Sequence, residues 1–195
     1  MKNTYYKEHT AIFGGSFNPP TFGHQAVCLW LLEALEVDKI IMVPTFDHMF
    51  GKKLEDFDHR MAMCNLAADA FGWRVRVSKM EASMPKPNST VKLLEYYKEI
   101  NEGNLILAIG SDVVKDLEKW AEWQRLPELA TVVVIPRDAE AKTIKAPFDV
   151  ITCPIVLPSA SSTEIRENIV AGKEISGMVP KSVEEYIQKH NLYLS

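Results

Sequence analysis

Gly14-Gly15-Ser16-Phe17-Asn18-Pro19-Pro20-Thr21-Phe22-Gly23-His24 joins the first apolar run of the chain, Thr10–Gly14, to its first amphipathic segment. Two glycines at the end of a short apolar strand let the backbone turn sharply and come close to a ligand. Beyond the loop, Cys28, Leu31, Leu32 and Leu35 recur at the i, i+3, i+4, i+7 spacing of one helical face, which predicts a helix over His24–Glu36. A strand, a glycine turn and a helix in that order set free N–H groups and a positive dipole end beside the glycines, a natural place for phosphate. His24, at the helix start, can donate a ring N–H to a phosphate oxygen. A shorter piece of this string would be an ordinary Gly/Pro turn; the whole run is far more specific.

The same alternation continues outward from the loop. Further apolar runs stand at Lys39–Pro44, Arg74–Ser78, Leu105–Gly110, Thr131–Pro136 and Asp149–Leu157. Leu105-Ile106-Leu107-Ala108-Ile109 and Val132-Val133-Val134-Ile135 lack polar alternation, as strands covered on both faces of a parallel sheet do. Helices are expected at Asp58–Phe71, Ser89–Asn101, Val113–Trp120, Ser162–Ala171 and Lys181–Asn191. This alternation predicts an α/β fold, a doubly wound, Rossmann-like parallel sheet with helices on both faces. Residues 1–195 read as one domain, with a C-terminal helical segment over residues 159–195 packed on it. Ligands of such sheets bind beyond the carboxyl ends of the strands, so informative residues belong just after them.

Composition narrows the partners. A chain of 195 residues, 47% apolar and 25% charged, can bury a core without disulfides or metal, which excludes disordered and disulfide-scaffold classes. A net charge of −4 argues against a nucleic-acid partner. No apolar run approaches the ~18 residues of a membrane span, and the polar opening Met1–Thr10 lacks a signal-peptide core. Cys28, Cys64 and Cys153 form no C-x-x-C pair and read as buried thiols of a cytoplasmic protein.

The eleven-residue loop resembles the G-G-x-F-x-P-x-[HT]-x-G-H signature of the nucleotidyltransferase superfamily, and Gly15-Ser16-Phe17-Asn18-Pro19 is especially similar to its pyridine-nucleotide adenylyltransferases, which complete NAD synthesis. The resemblance implies that Gly14, Gly15, Ser16, Phe17, Thr21, Gly23 and His24 cradle the triphosphate of ATP. Thr21 stands where many members carry a first histidine; its hydroxyl can also donate to phosphate.

A second stretch, Ser161-Ser162-Thr163-Glu164-Ile165-Arg166, opens a late helix. Serine and threonine before a glutamate make an ordinary helix cap. Yet the stretch also resembles the superfamily's S-S-T-x-x-R motif, which implies that Ser162, Thr163 and Arg166 hold the triphosphate from the opposite side. A planar, permanently charged donor suits charge developing on a transferring phosphate.

Between the signatures, the resemblance implies further roles. Lys52, with Lys53 as the alternative, would meet a substrate phosphate; both could equally be solvated surface lysines. Arg60 could pair with neighbouring acids and be purely structural. Thr90 in Thr90-Val91-Lys92-Leu93-Leu94 would contact the pyridine mononucleotide, or simply cap a helix. Pro87 and Leu93 depart from the family's pattern there. Gly110 and Asp112 would lie at the ATP ribose, and Trp120 would stack on the pyridine ring, while Trp123 reads as packing. No residues show metal-ligand spacing, so magnesium is expected through ATP phosphates.

The resemblance therefore implies adenylyl transfer from ATP to nicotinate or nicotinamide mononucleotide, with His24, Arg166 and Lys52 carrying the chemistry. Two rivals remain at this stage: a related enzyme such as a pantetheine-phosphate adenylyltransferase, and a nucleotide-binding regulatory module without turnover. Preference for acid or amide is open, as is assembly into a homo-oligomer.

Overall fold

The β-branched and aliphatic runs become strands, the central ones because they are apolar on both faces and long enough only for a strand. The computed structural model describes residues 8–46, 54–100, 102–137, 145–156 and 161–194. The strands are β1 (His9–Gly15), β2 (Lys39–Pro44), β3 (Val75–Val77), β4 (Asn104–Gly110), β5 (Thr131–Ile135) and β6 (Ile151–Thr152). Every pairing is parallel, and the order is β3-β2-β1-β4-β5-β6. The helices are α1 (Phe22–Ala34), α2 (Phe57–Ala68), α3 (Met80–Ser83), α4 (Thr90–Glu99), α5 (Ser111–Val114), α6 (Leu126–Leu129), α7 (Ser162–Val170) and α8 (Lys181–Lys189). The expected Rossmann-like α/β architecture is the one found.

Alternate strand residues feed two cores. Ala11, Phe13, Met42, Ala108 and Val133 pack with Val27 and Leu31 of α1 and with Cys64 of α2. Ile12, Ile41, Leu107 and Val134 pack on the other face with Val91 and Leu94 of α4 and with Leu126 of α6. Both faces are covered, which is why the sequence shows no polar alternation. A third cluster joins Met63 and Ala67 of α2 to Ile165 of α7, Val183 and Ile187 of α8, and Tyr193, so the C-terminal helices sit against α2.

Three expectations shift. The helix expected over Val113–Trp120 is α5 alone, followed by a 3-10 turn at Leu117–Lys119 that leaves Trp120 extended. Val114 and Leu117 are both buried at a spacing of three, which a 3-10 turn satisfies as well as an α-helix does. α2 stops at Ala68 rather than Phe71, giving way to a 3-10 segment in which Gly72 adopts φ 58°. The run Asp149–Leu157 contributes only Ile151 and Thr152 to the sheet, both exposed at its edge, and Leu157 lies outside the described residues. Among the described residues no helix is long and apolar enough to cross a membrane.

Because β1 leads out to one side of the sheet and β4 to the other, the strand order reverses between these two neighbours. The crevice this reversal opens lies beyond their carboxyl ends, at Gly14-Gly15 and Gly110.

Candidate active site

The loop after β1 is built to leave space. Gly14 is exposed, is not in the left-handed region, and a Cβ added there would meet nothing within 4 Å. Internal packing therefore does not require glycine at Gly14; the open side faces the crevice. At Gly15 an added Cβ would lie 3.1 Å from the Phe17 ring. That ring is buried, on a left-handed residue with φ 44°. It meets Phe13 edge-on at 5.4 Å and His24 at 4.9 Å between centroids.

Thr21 caps α1 and at the same time fixes His24. The Thr21 N–H donates to His24 Nδ1 at 2.9 Å, the Thr21 hydroxyl oxygen is 2.9 Å from the same nitrogen, and the His24 N–H donates back to that oxygen at 3.4 Å. A nitrogen that accepts a backbone N–H cannot carry the ring proton, so the proton is on Nε2. Burial, with the Arg137 guanidinium adding to it, lowers the His24 pKa to about 4, so the ring is neutral at pH 7. His24 is thus a neutral Nε2–H donor, only partly exposed. The Thr21 side chain, 1% exposed, is turned onto His24.

The second signature lies directly on the first. Ser161 is the cap of α7, accepting the Thr163 N–H at 3.2 Å. That leaves Ser162 free to reach outward, and its hydroxyl donates to the Pro19 carbonyl at 2.8 Å. Arg166, one turn in, donates from Nη1 to the Asn18 carbonyl at 2.7 Å and to the Ser162 carbonyl at 3.1 Å, and from Nη2 to the Thr163 hydroxyl at 3.1 Å. These three bonds occupy three of the five guanidinium N–H groups, leaving Nε–H and one Nη2 hydrogen for an anion. Thr163 itself is exposed.

Around this junction stand residues that spacing alone did not reveal. Arg60, 1% exposed, donates to the carbonyls of Ser16 at 3.0 Å, Thr45 at 2.8 Å and Glu55 at 2.9 Å, with the Glu81 and Asp56 carboxylates near enough to favour its charge. It ties the loop after β1 to the loop after β2. Asn18 is buried, and Arg137 stands just past the carboxyl end of β5, beside β4, which ends at Gly110. Arg137 Nε lies 2.9 Å from an Asp112 carboxylate oxygen, and its N–H donates to the Ser111 hydroxyl at 3.1 Å. A Cβ on Gly110 would fall 2.4 Å from that carboxylate oxygen, so a side chain there would displace the Asp112 carboxylate from its present place. The first charged side chain past an apolar run was the signal for Arg137.

Other expected site residues fall in different settings. Gly23 is buried within α1 and Ser16 is half-buried, lending its carbonyl to Arg60. Thr90 is the first residue of α4, and the cap is Ser89, whose hydroxyl accepts the Lys92 N–H at 3.3 Å. Trp120 is half-buried against the second core, and Trp123 stacks on Phe148 at 6.3 Å. Lys52 and Lys53 lie outside the described residues. What the assembled crevice offers is one neutral N–H donor, two guanidinium groups, hydroxyls and a bare glycine, a set suited to phosphate oxygens.

The chain matches the cytidylyltransferase-like family over residues 12–168. It is 35% identical over 187 residues to a protein of Anaeromyxobacter sp. (strain K) named "Probable nicotinate-nucleotide adenylyltransferase", covering 94% of this chain and 95% of that one. A protein of the same name from Myxococcus xanthus (strain DK1622) is 33% identical over 190 residues, covering 94% and 93%. Among solved structures, Plasmodium falciparum nicotinic acid mononucleotide adenylyltransferase complexed with NaAD superposes with a TM-score of 0.76 at 22% identity, over 95% of this chain and 97% of that one. The same enzyme complexed with APC gives 0.74 at 22% identity, again over 95% and 97%. These last two likenesses speak for the fold.

Proposed function

The chain belongs to the cytidylyltransferase-like family, with nicotinate-nucleotide adenylyltransferases as its curated relatives, and on that premise we propose that it performs their reaction in NAD synthesis. It transfers the adenylyl group of ATP to the 5′-phosphate of a pyridine mononucleotide. A phosphate oxygen of the mononucleotide attacks the α-phosphorus of ATP, the bond to the bridging oxygen breaks, and pyrophosphate leaves with that oxygen. The observation that carries this reading is the bonding of the two signatures to each other, Ser162 to Pro19 and Arg166 to Asn18, at the point where the strand order reverses.

An already anionic nucleophile needs no general base, so catalysis is alignment and charge stabilisation. His24 gives its Nε2–H to a phosphate oxygen, and Arg166 gives Nε–H and the remaining Nη2 hydrogen. Lys52 would add a third donor. Gly14 lets the triphosphate approach the backbone, with Gly15, Ser16, Phe17, Thr21 and Gly23 shaping the cradle. Gly110 and Asp112 would border the ribose. Magnesium would enter on the phosphates of ATP and neutralise part of their charge. The relatives' names favour nicotinate mononucleotide over the amide.

The test is pyrophosphate release from ATP with nicotinate mononucleotide, nicotinamide mononucleotide and 4′-phosphopantetheine in parallel. Release with the first, and none with the third, is expected; release with the third alone would defeat the reading. Two variants probe the cradle and the acceptor pocket. Gly14→Ala meets no internal obstacle, so its melting temperature should match the parent while its Michaelis constant for ATP rises about tenfold or more. An unchanged constant would mean that ATP does not approach there. Trp120→Ala should raise the constant for the mononucleotide and leave that for ATP within about twofold, since stacking serves the pyridine alone. Loss of the fold instead would make Trp120 a core residue.

A further inference from the structure

Resting on the reading of the loop after β1 as the phosphate cradle, we propose that Tyr193 is a positioning residue for that loop, acting through Asn18. Tyr193 lies beyond α8, 175 positions from Asn18 in sequence, yet its hydroxyl donates to the Asn18 amide oxygen at 3.1 Å in a buried contact. The Glu55 N–H donates to the same oxygen at 3.1 Å. A backbone N–H can only donate, so the amide oxygen must face it, and the Tyr193 hydroxyl beside it is therefore also a donor. Both lone pairs of that oxygen are filled from inside the protein. The Asn18 amide oxygen is thereby spent on holding the loop and is not available to a reactant.

Other side chains hold the same short stretch: Arg60 on the Ser16 carbonyl, Arg166 on the Asn18 carbonyl and Ser162 on the Pro19 carbonyl. Those come from α2 and α7; Tyr193 brings the tether from the C-terminal turn. The residue is 8% exposed, in one buried cluster with Met63, Ile165, Val183 and Ile187, so the anchor is firm. Its backbone is left-handed, with φ 62°, a conformation that L side chains avoid. The turn thus directs a tyrosine inward where asparagine or glycine would sit more easily. Between the tethered residues, Phe17 packs edge-on against the His24 ring, so movement of the loop moves the seat of His24.

Tyr193→Phe keeps the ring and removes only the hydroxyl. Loss of one buried hydrogen bond should lower kcat roughly 5- to 10-fold, with the Michaelis constant for the mononucleotide within about twofold. Amide exchange in the segment from Gly15 to Thr21 should accelerate by a similar factor while β1 and β4 stay protected. In a His24→Ala background the same change should cost less than about twofold, because the group being positioned is gone. Parental kcat and exchange, equal losses in both backgrounds, faster exchange throughout the protein, or failure to fold would each overturn the proposal. If the parent itself transfers no adenylyl group, the functional reading fails instead. Loop exchange and magnesium-ATP affinity in Tyr193→Phe then decide the role of Tyr193 alone.

Discussion

His24→Ala is expected to lower turnover roughly 10²–10³-fold, the usual effect of removing one preorganised donor from a developing anion. The size rests on how firmly the donor is held. Nδ1 is occupied by the Thr21 N–H, so the ring has a single tautomer, with its proton on Nε2. The ring rests against Phe17 and cannot tilt without disturbing a buried residue. Such a donor needs no reorganisation when the transition state forms. A variant with near-parental turnover would remove His24 from the mechanism.

The same substitution carries a pH signature that activity does not. The folded pKa is about 4, below the ordinary 6.5 of a histidine, because burial and Arg137 disfavour the cation. Below about pH 6.5 the unfolded chain binds a proton that the native protein refuses. Stability from this group is therefore level above that pH and falls as the pH drops towards 4. Melting temperatures of the parent and of His24→Ala, compared at pH 8 and at pH 5, should show the parent losing more on acidification. Parallel curves would mean that the ring is not held neutral.

The sheet was legible because its central strands are apolar on both faces. Leu105–Gly110 and Thr131–Pro136 could hardly be anything but covered parallel strands. The two signatures were legible as strings, and their positions after β1 and at the start of α7 follow from glycine and cap chemistry. What spacing could not reveal is how they meet. The bonds from Ser162 to Pro19 and from Arg166 to Asn18 link positions 143 and 148 apart, and no periodicity encodes such a contact. The structural role of Arg60 was legible, but its three carbonyl acceptors were not, because a buried cation suggests a carboxylate and no spacing points to backbone oxygens. The segment after β4 was misread because α and 3-10 turns share a spacing of three. Thr21 and Ser89 show the limit at single residues. Thr21 was read as a phosphate donor and is the cap of α1, while Thr90 stands beside Ser89, and only the backbone geometry selects which of those two caps α4.

Arg166→Ala should lower turnover roughly 10²–10³-fold, more than Thr21→Ala does. Two hydrogen bonds from a guanidinium to phosphate, at about 1.5–2 kcal/mol each, account for that range. The change also releases the Asn18 and Ser162 carbonyls from Nη1, loosening the joint between the signatures. Thr21→Ala removes a neutral hydroxyl and weakens the cap of α1, about 1 kcal/mol of stability. It leaves the Thr21 N–H on Nδ1, so His24 keeps its tautomer and the loss of rate should be about tenfold at most. Arg166→Lys separates charge from geometry. An ammonium keeps the positive charge but cannot hold two carbonyls and a phosphate in one plane, so it should restore only part of the rate. Initial rates at saturating magnesium give the ranking, with circular dichroism reporting the fold of each variant. Parental activity in Arg166→Ala would remove the second signature from the mechanism, and full activity in Arg166→Lys would reduce its role to charge alone.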